Sequence, residues 1–208
     1  SSAASDVYKR QTITTSSIRQ CCIVSLLDKT IPLSSALCFC SLTCLLHQTA
    51  GEREKAVGAT KGICFIQEAY NTALTDRCGG YGEAIPTTNF DSSNDPATIP
   101  TRAAAGLQAN PDVDAVLSVG PHVCVGVQQA IDELGMTVHH SCFDLSPPVM
   151  DMINAGKVQF TIDQQQRLQG YMPIIVLHLY NNGAGLLPGA NIPSGPGFVD
   201  KSNASSVA

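Results

Sequence analysis

Tryptophan is absent from this 208-residue chain, aromatic residues make up 5% of it and charged residues 14%. With a formal net charge of -5 there is no basic footprint for a phosphate backbone, which excludes a nucleic-acid partner. The most apolar stretch, residues 168–180, is too short to cross a bilayer, so no membrane insertion is expected. No Gly-x-Ser-x-Gly elbow, phosphate-cradling glycine loop or His-Glu-x-x-His helix occurs. No motif therefore supplies a nucleophile with its base, and the chain is expected not to be an enzyme and to use no cofactor and no metal.

Other absences are local. Ahead of Gly51 there is neither a glycine nor a glutamate, whereas Cys21, Cys22, Cys38, Cys40 and Cys44 all lie there. Two compositions have been joined. Residues 1–11, SSAASDVYKRQ, back-translate by one choice of codons to a string that resembles the read-one adapter of transposase-based sequencing libraries. Residues 12–48 hold neither a helical nor a strand period, so 1–48 are expected to be adapter-derived and out-of-frame rather than a true domain. Three alternatives stand beside this: a zinc site at Cys38-x-Cys40-x3-Cys44-x2-His47, a lipoprotein-like signal at 31–46, and a divergent domain start.

Beyond this segment the punctuation is regular. Residues 113–119 read as a strand buried on both faces, followed by a helix opening at Pro121 and capped by Gly135. Residues 136–143 give a second strand, with a helix that Ser146 caps and Gly156 ends, and 158–162 give a third. Upstream, 62–66 is a buried strand, a helix carries Leu74, Arg77 and Tyr81, and 85–90 holds a short strand. A helix from Asp95 to about Gln108 completes the set. Residues 51–58 read as the last turns of a surface helix, with Glu52, Arg53, Glu54 and Lys55 solvated. Strands alternating with helices predict an α/β fold, a doubly wound parallel sheet in three α/β/α layers, with ligand chemistry at the carboxyl ends of the strands.

Single residues with chemical potential have plainer readings. His139 and His140 are neighbours in a strand and face opposite sides, so they do not share a metal. Cys64, Cys124 and Cys142 lie in apolar runs as small buried hydrophobes, and Cys78 packs on its helix. What remains are polar residues at strand ends, suited to a neutral polyhydroxylated ligand.

Four motifs in order carry a resemblance: Asn110-Pro111-Asp112-Val113-Asp114-Ala115-Val116; Phe143-Asp144-Leu145-Ser146-Pro147; Ile162-Asp163-Gln164-Gln165 with Leu168-Gln169-Gly170-Tyr171; and Gly195-Pro196-Gly197-Phe198-Val199. Over residues 51–204 the chain resembles the periplasmic sugar-binding proteins of ABC importers, ribose-binding type. The resemblance implies one lobe of a two-lobe clamshell: residues 49–164 as the second lobe, 165–182 as the last helix of an otherwise missing first lobe, and 183–208 as crossover and tail. It implies an exported periplasmic protein that binds a sugar or polyol and delivers it to ABC transporter permease subunits. By this resemblance Arg77 donates to sugar hydroxyls, Asp144 accepts from two of them and Gln164 is the crossover glutamine. Glu68 and Asn71 line the site by position. Ribose-type members carry Asn-Asp after the third strand of the lobe, where this chain has Gly120-Pro121, so the sugar is left open. Two rivals are the effector domain of a lactose-repressor-type regulator, which shares the fold, and a small α/β enzyme using Cys78 or Asp144.

Overall fold

The computed structural model describes residues 41–183, 192, 194, 195 and 197–207. The adapter-like segment, Cys38, Cys40 and the side chains of Cys44 and His47 lie outside the described residues.

Five strands run parallel: β1 (Gly62–Ile66), β2 (Thr87–Asp91), β3 (Ala115–Ser118), β4 (His139–Phe143) and β5 (Phe160–Asp163). A sixth, β6 (Gly197–Asp200), closes one edge antiparallel to β5, and the order across the sheet is β2-β1-β3-β4-β5-β6. The helices are α1 (Ser41–Ala56), α2 (Thr72–Gly82), α3 (Ile99–Ala109), α4 (Pro121–Leu134), α5 (Pro147–Asn154), α6 (Gln166–Asn182) and α7 (Ala204–Val207). Strand order reverses at β1, which has β2 on one side and β3 on the other; this is the switch point where doubly wound sheets open a crevice.

Alternation along β1 divides the core. Cys64 and Ile66 pack with Leu74, Cys78 and Tyr81 under α1 and α2. Ile63 and Phe65 face the other way, against Ile99, Leu107, Val123 and Val127 of α3 and α4. The result is the three-layer α/β/α sandwich expected. Local chemistry sets the helix ends as read: Ser146 Oγ accepts from the Val149 N–H at 3.4 Å, and Gly135 ends α4 at φ 63°, a left-handed conformation favoured in glycine.

Two expectations are corrected. Cys64 and Cys78 are joined by a disulfide between β1 and α2, and Cys124 and Cys142 by another between α4 and β4. In each pair a strand residue and a helix residue face each other across the layer boundary, with Cα atoms 5.8 Å apart. The four side chains are buried as foreseen, but bonded. The second correction concerns α1. Its Glu54 is not solvated but fully buried, because this position turns towards Tyr81 and the sheet. Arg53 lies over the rings of Phe160 and Phe198 and pairs with Asp200 at 3.0 Å. His139 and His140 face opposite sides as expected: His139 bonds Gln159, whereas His140 is buried against Ser118 and Gln128. No helix among the described residues is long and apolar enough to cross a membrane.

Candidate ligand-binding site

Three of the predicted residues converge where β3, β4 and β5 end. Arg77 projects from α2 and donates through Nη1 to the Val119 carbonyl at 3.3 Å and through Nη2 to Gln164 Oε1 at 3.4 Å. Its guanidinium lies 3.9 Å from the centroid of the Phe143 ring, a stacked cation held flat. Gln164 Nε2 donates to Asp144 Oδ1 at 2.8 Å, so one amide bridges the cation and the anion. The polarity of that bridge is fixed by its partners, since a guanidinium only donates and a carboxylate only accepts.

Asp144 adopts φ 67°, an uncommon conformation for a residue with a side chain. The backbone is held there from both sides, the N–H donating to Ile162 O at 2.8 Å and the carbonyl accepting from Thr161 Oγ1 at 2.7 Å. Asp144 does not cap α5; that role is Ser146's, which frees the carboxylate to turn towards β5. Burial raises the Asp144 pKa above the usual carboxylate value, the Gln164 hydrogen bond and the Arg77 charge work against this, and Asp163 adds to it. A carboxylate held above its usual range and fed by amide donors is one that hydroxyl donors can satisfy as well.

Glu68 and Asn71 form a second group, after β1. Glu68 Oε2 accepts from Asn71 Nδ2 at 3.1 Å and Oε1 from Asn94 Nδ2 at 3.3 Å, while Asn94 Oδ1 meets His122 Nε2 at 2.9 Å. Half of Asn71 is committed to structure: its Oδ1 accepts from the Ala73 N–H at 3.1 Å and caps α2. Between the two groups, at the switch point, stands Gln67, which sequence reasoning passed over. Its amide lies against Gly120, where any Cβ would come within 3.0 Å of Nε2, and its buried Oε1 has no hydrogen-bond partner among the described residues. No signal in the sequence pairs the two, since Gly120 reaches Gln67 only once β3 is laid beside β1. Gln166 was passed over too; its Nε2 donates to Asp144 Oδ1 at 2.6 Å. A hollow lined by Ser93, Asp95, Thr98, Thr101 and Arg102 includes none of these residues. Arg77, Asp144 and Gln164 are themselves half-buried.

A model of the periplasmic binding protein domain matches residues 53–184. The xylose/arabinose-binding protein XylF of Sulfolobus acidocaldarius is 28% identical over 161 residues, which cover 74% of this chain and 39% of that protein. Among solved structures, a carbohydrate transporter from Acidothermus cellulolyticus in complex with myo-inositol superposes with TM-score 0.73 at 30% identity, over 80% of this chain and 59% of that one. AraP, an arabinose-binding protein from Geobacillus stearothermophilus, gives 0.69 at 20% identity over 80% and 63%, a likeness of fold. The chain thus spans about two fifths of XylF and about three fifths of these structures.

Proposed function

This chain belongs to the periplasmic binding protein family, and from that premise we propose that it is the ligand-gripping second lobe of a sugar- or polyol-binding protein serving an ABC importer. Residues 49–164 are that lobe, 165–182 the last helix of the first, and 183–208 the crossover and tail. The relatives are solute-binding proteins and not enzymes, which sets aside the small α/β enzyme. The observation that carries the reading is the Arg77–Gln164–Asp144 bridge: a donor fork, a two-way amide and a carboxylate aligned at the carboxyl ends of three adjacent strands. Adjacent hydroxyls of a pyranose or cyclitol present the matching alternation of acceptors and donors. In the whole protein a ligand that touches both lobes selects the closed state, and the closed form is what permease subunits would meet. Two buried disulfides accord with export to an oxidising compartment.

Half of such a site makes half of the contacts, so millimolar or weaker affinity is expected of this chain. Titration of the isotope-labelled chain with myo-inositol, xylose and arabinose, following the Arg77 side-chain N–H resonances, tests it. Saturable shifts should appear with at least one of these, be lost in Asp144→Asn, and leave the Glu52 amide unmoved. Shifts that survive Asp144→Asn, or none with any of the three at solubility-limited concentration, would reject the assignment. Sub-micromolar binding would show instead that the site is complete without a first lobe.

A further inference from the structure

Behind the sheet from the sugar-facing residues, Cys124 Sγ, Cys142 Sγ and the His140 ring come together, with ligand atoms all within 4.8 Å of one another. All three side chains are buried, the two cysteines among Val149, Ile153 and Val158. The imidazole is held in one tautomer by a chain of hydrogen bonds whose directions chemistry dictates. Lys157 Nζ donates to Asp132 Oδ2 at 2.6 Å, and Asp132 Oδ1 can only accept, at 3.0 Å, from Gln128 Nε2. The Gln128 amide must therefore present Oε1 to His140 Nδ1, 2.8 Å away, and Nδ1 carries the proton. Nε2 is left as a lone pair. It faces Ser118 Oγ at 2.9 Å and Cys142 Sγ at 3.7 Å.

An oriented imidazole lone pair, backed by an amide that a carboxylate holds in place, is the outer arrangement of a metal ligand. The 3.7 Å between Sγ and Nε2 is close to the edge of about 3.5 Å expected of a tetrahedron with Zn–S near 2.3 Å and Zn–N near 2.0 Å. We propose that the Cys124–Cys142 bridge masks a zinc site: once reduced, Cys124, Cys142 and His140 bind one Zn²⁺, with the Ser118 hydroxyl beside the fourth position. The required reductant is a dithiol. It gives up two electrons and leaves as its own disulfide, the Sγ–Sγ bond breaks and two thiols form. Zn²⁺ then releases those two thiol protons to solvent and bonds both thiolates and Nε2. Two thiolates cancel the charge of a divalent ion, so the buried assembly is neutral, whereas a monovalent copper ion would leave a net negative charge in an apolar pocket.

The test uses the full chain with Cys21, Cys22, Cys38, Cys40 and Cys44 changed to serine and Cys64 and Cys78 to alanine, so that no other thiols compete, the pair that the dithiol would also open included. It is reduced anaerobically by a dithiol, freed of reductant and equilibrated with Zn²⁺ against a chromogenic chelator. One tightly held equivalent is expected after reduction and none before it. His140→Gln should weaken binding by at least about 100-fold, and Gln128→Leu by about 10- to 100-fold as a positioning residue. Cobalt substitution of the unaltered site should give thiolate-to-metal charge transfer with tetrahedral visible bands, a signature that does not depend on any variant folding. A bridge that the dithiol leaves closed in the folded protein, equal affinity in His140→Gln, preference for monovalent copper, or a cobalt spectrum without sulfur bands would each overturn the proposal.

Discussion

Glu54 shows what a single residue can hide. Its flanking residues Glu52, Arg53 and Lys55 are exposed, yet Glu54 is fully buried, and neither carboxylate oxygen has a hydrogen-bond partner among the described residues. Burial pushes its pKa up from 4.5 to about 7, with the Ser141 hydroxyl and Arg53 working against this and Asp114 adding to it. The folded value lies above the unfolded one, so the stability linked to this group is full below about pH 4.5 and is lost as pH rises through about 7. At about 1.4 kcal/mol per unit the loss by pH 8 is about 3 kcal/mol. Glu54→Gln should therefore be more stable than the parent at pH 8 by about that amount and no more stable at pH 4.5, as read by urea unfolding at both values. Parallel pH profiles would show that the carboxylate is solvated. Nothing in the sequence marks Glu54, because a run of charged residues gives no sign of which one faces the sheet. The meeting of Arg77, Asp144 and Gln164 was legible by contrast, through the resemblance to sugar-binding proteins. Gln67 was not, because its role depends on Gly120 arriving from another strand.

At the level of elements, the strand and helix alternation was legible from glycine and proline punctuation, while strand starts were not. The apolar run at 113–119 is strand only over Ala115–Ser118, and just before it the Asp114 carboxylate accepts from the N–H groups of Thr60 and Lys61 at 2.8–2.9 Å. Met136 and Val138 pack on the α3 and α4 cluster without joining β4. The two disulfides were out of reach of sequence because separations of 14 and 18 residues mean nothing until a helix is laid on its strand. Each bridge pins one helix to one face of the sheet. Closing a loop of this size is worth about 3 kcal/mol, so Cys64→Ala/Cys78→Ala should lower the melting temperature by about 6–12 °C in non-reducing buffer. A shift under about 2 °C would mean that these cysteines are not bonded in solution.

For the molecule as a whole the unusual feature is α6. Tyr171, Ile174, Leu177 and Leu179 are 62%, 66%, 47% and 57% exposed, and Val176 is its one buried residue. An apolar helix surface of this kind drives association. The chain should bind a hydrophobic dye and sediment as a concentration-dependent oligomer, and Ile174→Lys/Leu177→Lys should suppress both by several-fold. A monodisperse monomer without dye binding would mean that other parts of the chain cover the helix. The same helix is also tied to the strand ends. Gln164, where the chain leaves the sheet, and Gln166, in the first turn of α6, both point their amides at Asp144. Asp144 Oδ1 thus ties the end of β5 to the first turn of α6. One oxygen atom serves as the knot that laces the mouth of the sheet to the helix leaving it, and whatever loosens the knot frees both ends.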